Sequence, residues 1–115
     1  MLSICERDNP VIVMKWETLD DDSVVDSSKW LPLAEYKQLR SRSGVYVFID
    51  SSSEVWYVGK AGAGRMVEEV KSAIDRGKGK GANQVAALYT NGDEAAKTLE
   101  SKLIDHYQPE NNKQK

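Results

Sequence analysis

Cysteine, histidine and phenylalanine each occur once among the 115 residues. Cys5 alone cannot close an intrachain disulfide, and Cys5 with His106 is too few ligands for a zinc cluster. A single histidine also gives no support for a Ser-His or Cys-His nucleophile, so His106 reads as a surface or helix-packing residue. No apolar run approaches the roughly 18 residues that a membrane helix needs. The first residues, Met1 to Asp8, have neither the basic nor the apolar region of a secretory leader. These absences point to a cytoplasmic, reducing setting with no membrane partner. A phosphate-cradling Gly-x-x-x-x-Gly-Lys-Ser/Thr loop is missing too, and Gly62-x-Gly64 lacks the third glycine of a dinucleotide loop.

What is present is enough for one domain with a modest core. The formal net charge is −2, an awkward total for a nucleic-acid partner, but the charge is unevenly spread. Residues 1–28 carry seven acids against two bases, including Asp20, Asp21 and Asp22. Residues 60–80 carry six bases against three acids. A polyanion meets the local field rather than the total. Lys71, Arg76, Lys78 and Lys80 are therefore candidate nucleic-acid contacts, against the blander reading that charge runs are solvated faces.

Along the chain, Val11–Met14 could form an outlying strand, and 17–28 read as an acidic, serine-rich loop. Ser27 or Ser28 is expected to cap a short helix with Pro32 in its first turn. Residues 44–49 and 54–58 read as strands joined by turn chemistry at 50–53. Centring the turn on Ser51-Ser52 puts Tyr46 opposite Tyr57 and Gly44 opposite Gly59. It also places Phe48 and Val55 on the tyrosine face, with Val45, Val47, Ile49, Trp56 and Val58 on the other. Both faces are apolar, so both are expected to be covered. A helix follows from about Arg65 to Asp75, then a flexible basic stretch to Gly81. A third strand spans 84–90, and a last helix runs roughly 94–107 and stops before Pro109. Trp16, Trp30 and Trp56 read as core or edge residues.

Two clusters carry chemistry. Tyr46 and Tyr57 lie in Gly44-Val45-Tyr46 and Tyr57-Val58-Gly59, where glycine permits close approach to the backbone. A phenol near neutrality serves as a base only with positive charge close by. Lys60 and Arg65 follow in sequence and supply candidates. Glu100 borders the buried stripe of the last helix, where a carboxylate either snorkels to solvent or meets a hard cation, and Mg²⁺ often takes one or two carboxylates plus waters and phosphate oxygens.

The stretch from Gly44 to Asn112 resembles the GIY-YIG nuclease family. Its signatures are Gly44-Val45-Tyr46, then Tyr57-Val58-Gly59-Lys60-Ala61, then Glu100-x-x-Leu103-Ile104 with Pro109 and Asn112. The resemblance implies an α/β (α+β) fold, a small three-stranded antiparallel sheet flanked by helices. It implies an N-terminal extension over 1–43, a catalytic domain over 44–112 and a tail over 113–115. It implies a DNA endonuclease leaving 5′-phosphate and 3′-hydroxyl ends. Tyr46 would be the general base, Tyr57 would orient phosphate or water, and Arg65 would stabilise the phosphate with Lys60 assisting. Glu100 would bind one Mg²⁺ or Mn²⁺, and Asn112 would brace the site. Many members carry histidine or tyrosine one helical turn after the arginine, whereas this chain has Glu69; Lys71 or Arg76 could then stand in for Arg65.

Specificity would come from the first 43 residues, the basic loop, a homodimer or a partner protein. Restriction, phage or mobile-element nicking and structure-specific repair all fit. The alternative is a catalytically silent module of the same type that binds nucleic acid or protein. A further idea lays the acidic segment 1–28 over the basic cleft.

Overall fold

The computed structural model describes residues 23–113. The expected strand at Val11–Met14, Trp16 and most of the acidic segment lie outside the described residues. The elements in order are β1 (Val24–Ser27), β2 (Leu31–Pro32), a 3₁₀ helix (Leu33–Gln38), β3 (Gly44–Ile49), β4 (Val55–Ala61), α1 (Met66–Asp75), β5 (Gln84–Thr90), α2 (Asp93–Tyr107) and a closing 3₁₀ turn (Glu110–Asn112).

All strand pairings are antiparallel, in the order β1-β5-β3-β4, with β2 also on β5. The expected three-stranded sheet is present as β4-β3-β5, flanked by helices. Two more strands come from a stretch read as loop and helix start. Ser28 explains the difference. Its amide donates to the Ala87 carbonyl and its Oγ accepts from the Ala87 amide, each at 2.9 Å. A residue read as a helix cap thus extends the sheet between β1 and β2. Pro32 pairs with Gln84 in β2, on the outer side of the sheet where a missing N–H is tolerated. The helix after it is 3₁₀ and has no side-chain cap.

The β3–β4 register also departs from expectation. Tyr46 faces Gly59, and Gly44 faces Ala61. The turn is longer than the two-residue form: Asp50 pairs with Glu54, and Ser53 adopts a left-handed backbone at φ 66°. Asp50 Oδ1 accepts from the amides of Ser52 and Glu54, and Oδ2 from Trp56 Nε1. Trp56 is then an extra residue, because Ile49 pairs with Val55 while Phe48 pairs with Tyr57. Such a bulge flips the faces on one side of it. Val55 therefore packs with Val45, Val47 and Val58 rather than with the tyrosines. Trp56 lies against Gly81, where an added Cβ would meet its ring at 2.8 Å.

Both faces of β3 are covered, as its apolar sequence requires. Under α1 lie Tyr46, Phe48, Tyr57, Met66, Val70 and Tyr89. Under α2 lie Val45, Val47, Val58, Leu99 and Leu103. Leu103 buried at this depth contributes roughly 1.5–3 kcal/mol relative to exposure. No helix among the described residues is long and apolar enough to cross a membrane.

Candidate active site

Tyr46 projects from the central strand under α1 and is 2 % exposed. Its ring lies across Gly59, where a built Cβ would overlap the ring and Oη. This is the physical use of the second glycine: any side chain there would evict the phenol. Gly44 meets β5 in the same way, an added Cβ colliding with the Leu88 carbonyl. Tyr46 Oη donates to the Glu69 carbonyl at 3.4 Å, a long bond. Tyr57 is 9 % exposed, and its ring centroid is 6.1 Å from that of Tyr46.

The phenol of Tyr46 is held well above the ordinary tyrosine range. Burial is the main cause; Tyr57, Glu69 and Glu100 add to it, and the Arg76 guanidinium opposes it. The phenol therefore rests neutral and acts as a hydrogen-bond donor. Arg76 is exposed and ends α1, the helix that covers the phenols.

Arg65 caps α1 and pairs with Glu69, Nε to Oε2 at 3.6 Å. Its guanidinium is engaged by the residue that stands where many relatives by resemblance carry histidine or tyrosine. Both partners are substantially exposed, so the pair is worth at most ~0.5 kcal/mol and can open. Lys71 is bonded to Asp75 at 2.7 Å, also on the surface.

Glu100 extends from α2, the helix on the opposite face of the sheet from the phenols. It is half-buried, and burial raises its carboxyl above the usual range while Lys60 pulls it down. Lys60 is exposed on β4, opposite Val45. Glu100 and Lys60 thus belong to the α2 side and Tyr46, Tyr57 and Arg76 to the α1 side. The coupling between the two sets is weak: of the causes acting on the Tyr46 phenol, Glu100 is the smallest.

In the described strand order β4 is terminal, and the closing turn covers its edge. Asn112 accepts from the Val58 amide at 2.8 Å and donates to the Val58 carbonyl at 2.9 Å. It imitates a neighbouring strand and fixes the segment that carries Tyr57 and Gly59. Its neighbour Asn111, which the sequence reading gave no role, is 2 % exposed and binds the 77–81 loop. Asp93 was also missed: it accepts from Ser43 Oγ and the Ala63 amide, pinning the loop before α1. An asparagine or aspartate in a polar stretch gives no sequence signal of this kind; only its hydrogen-bond partners in the fold reveal it.

Among the described residues no three acidic, histidine or cysteine side chains gather as a metal cluster. The donor set is one half-buried carboxylate under the charge of Lys60. That fits a hard ion which keeps its waters and takes phosphate oxygens, and does not fit zinc.

No protein-family model matches the chain, and no curated protein does. Solved structures do. The chain is similar to the GIY-YIG N-terminal endonuclease domain of UvrC from Thermotoga maritima, bound to its catalytic divalent cation, magnesium. Identity is 23 %, the match covers 68 % of this chain and 91 % of that one, and the TM-score is 0.58. An asparagine-to-alanine variant of that domain matches at 23 % identity and a tyrosine-to-phenylalanine variant at 21 %, each with TM-score 0.58 and each with its catalytic divalent cation. Both matches cover 68 % of this chain, and 90 % and 91 % of the respective domains. The chain has the GIY-YIG nuclease fold.

Proposed function

We propose that this chain, built on the GIY-YIG nuclease fold, is a divalent-metal-dependent DNA endonuclease whose catalytic unit spans residues 44–112. What supports the reading is the fold itself, with Tyr46 packed on Gly59 beside Tyr57, Arg76 ending α1 on that side, and the half-buried Glu100 under the charge of Lys60. Two phenols, two cations and one carboxylate are what phosphodiester hydrolysis requires: a proton acceptor for water, positive charge for the phosphorane oxygens, and an anchor for a hard cation.

Tyr46 first gives its own proton to solvent; as phenolate its Oη then takes the proton of the water whose oxygen bonds to phosphorus, while the P–O3′ bond breaks in line and the departing 3′ oxygen takes a proton from solvent, leaving 5′-phosphate and 3′-hydroxyl ends. The neutral resting phenol needs added positive charge for this role, and Arg76 provides the first part. Tyr57 holds a non-bridging oxygen or the water. Arg65 leaves Glu69 to meet the phosphate, with Arg76 already stationed on that side. Lys60 steadies the ionised form of Glu100. A bound Mg²⁺, held by Glu100 with waters and phosphate oxygens, would supply charge beside the phenol and Lewis-acid stabilisation of the leaving oxygen. Asn112 keeps β4 in register.

A catalytically silent module that binds nucleic acid or protein is the second reading. The Arg65–Glu69 pair favours it, since that pair occupies a candidate phosphate ligand. A 5′-labelled DNA duplex separates the two. In Mg²⁺ the endonuclease yields shortened products that ligate directly and accept 3′ extension, whereas intact duplex at any metal concentration supports the silent module. Sequence or structural specificity then rests with residues 1–43, the basic loop, a homodimer or a partner protein.

A further inference from the structure

The stretch Arg76-Gly77-Lys78-Gly79-Lys80-Gly81 has the composition of a mobile linker. Three glycines would make its ordering costly, at about 1–2 kcal/mol per residue for the backbone. Yet the structure closes it almost completely. Gly77 and Gly81 take left-handed φ of 82° and 90°. The amides of Gly77 and Lys78 return to Ile74 and Ala73, and those of Lys80 and Ala82 to Gly77 and Gly79. Gly79 packs against Leu33 and Phe48, and Gly81 against Trp56. The Asn111 side chain donates to the carbonyls of Lys78 and Lys80, at 2.7 and 2.8 Å. Lys78 Nζ donates back to the Asn111 carbonyl at 3.2 Å and stands 5.9 Å from the Tyr57 ring centroid.

A loop ordered merely to join α1 to β5 would not need two lysines and an arginine. Nor would it need a buried asparagine from the far end of the chain. The clasp has a geometrical consequence: it fixes a cationic ridge beside Tyr57 while Asn112, one residue on, fixes the strand that carries Tyr57. Two adjacent asparagines thereby lock the ridge and the candidate active site into one frame.

We infer that the 76–81 turn is a preformed docking ridge for the phosphate backbone of the strand being cut, with Arg76 and Lys80 as its exposed contacts and Asn111 as its positioning residue. The inference rests on the endonuclease reading and adds where the flanking phosphates lie. Preorganisation removes the cost of ordering the loop at the moment of binding. It also gives an acidic protein a defined place to hold a polyanion, running from Arg76 beside the scissile phosphate to Lys80 at the next one.

The test uses the full chain and a duplex in metal-free buffer, so binding is read without cleavage. Lys80→Gln and Arg76→Gln should each weaken binding and make the slope of log K against log salt shallower by about 0.9. Asn111→Ala leaves every charge in place, yet should weaken binding about tenfold through lost preorganisation. In that variant limited trypsin should cut after Lys78 and Lys80 faster than in wild type, and saturating duplex should slow the cuts. Unchanged affinity and slope in the Gln variants would overturn the ridge. A folded Asn111→Ala protein that binds like wild type would overturn the positioning role. If Asn111→Ala does not fold, Lys78→Met tests the same clasp by removing the Lys78–Asn111 bond: trypsin protection at Lys80 should fall, and full retention counts against the clasp. Failure of wild type to cut DNA in Mg²⁺ would sink the endonuclease reading alone, since none of these readouts requires turnover.

Discussion

Gly59 shows how much one missing side chain organises. Its Cα hydrogen is the surface on which the Tyr46 ring rests. Gly59→Ala should destabilise by about 1–3 kcal/mol through overpacking, measured by urea unfolding, and should displace the phenol. Tyr46 itself predicts a pH effect. Its pKa in the folded chain is raised above the unfolded value, chiefly by burial. Stability from the neutral phenol is therefore intact below about pH 10 and is lost as pH rises through the folded value. Tyr46→Phe should lose less stability than wild type above pH ~10, and ultraviolet titration of wild type should show one tyrosine resisting ionisation that the variant lacks. At this scale the sequence was informative where spacing itself carries chemistry: Tyr46, Tyr57 and Glu100 stand in recognisable patterns. Asn111 and the Arg65–Glu69 pair were not legible, because each depends on which way a helix or turn faces.

At the scale of elements, β5 ends where its apolar pattern ends, and α2 buries Ala96, Leu99, Leu103 and Tyr107 as its periodicity requires. The hairpin register was not legible, because Ser51, Ser52 and Ser53 permit several turns and sequence gives no bulge signal at Trp56. Asp50 settles it by gathering three donors. Burial pushes its carboxyl up, but hydrogen bonds from Trp56, Glu54 and Ser52 outweigh burial and hold it below the usual range. That contribution is present above the unfolded pKa and fades as pH falls through the folded one. Wild type should therefore lose more melting temperature than Asp50→Asn as pH drops below about 4. Asn112→Ala leaves the Val58 amide and carbonyl without their partner and should cost about 1–3 kcal/mol, with the Val58 amide exchanging faster by NMR. Strands β1 and β2 escaped the sequence reading because a serine-rich segment resembles a loop until Ser28 is seen to span two strands.

Across the described residues, two helices cover opposite faces of one sheet; α1 ends at Arg76, and α2 carries Glu100. The phenols and Arg76 belong to one side, Lys60 and Glu100 to the other. On the endonuclease reading both halves are needed for chemistry, so loss of either should be severe while folding survives. The net charge of −2 leaves the endonuclease reading open, because basic residues are gathered between 60 and 80. Nicking of supercoiled plasmid tests this most directly, with Tyr46→Phe, Glu100→Ala and wild type compared at equal concentration in Mg²⁺ and in chelator. Wild type should convert the plasmid in Mg²⁺ and stop in chelator, and each variant should be slower by about 10²-fold or more, the loss expected for removing one group that acts on the transition state. Nicking by Glu100→Ala at the wild-type rate, or by wild type equally well in chelator, would contradict the account.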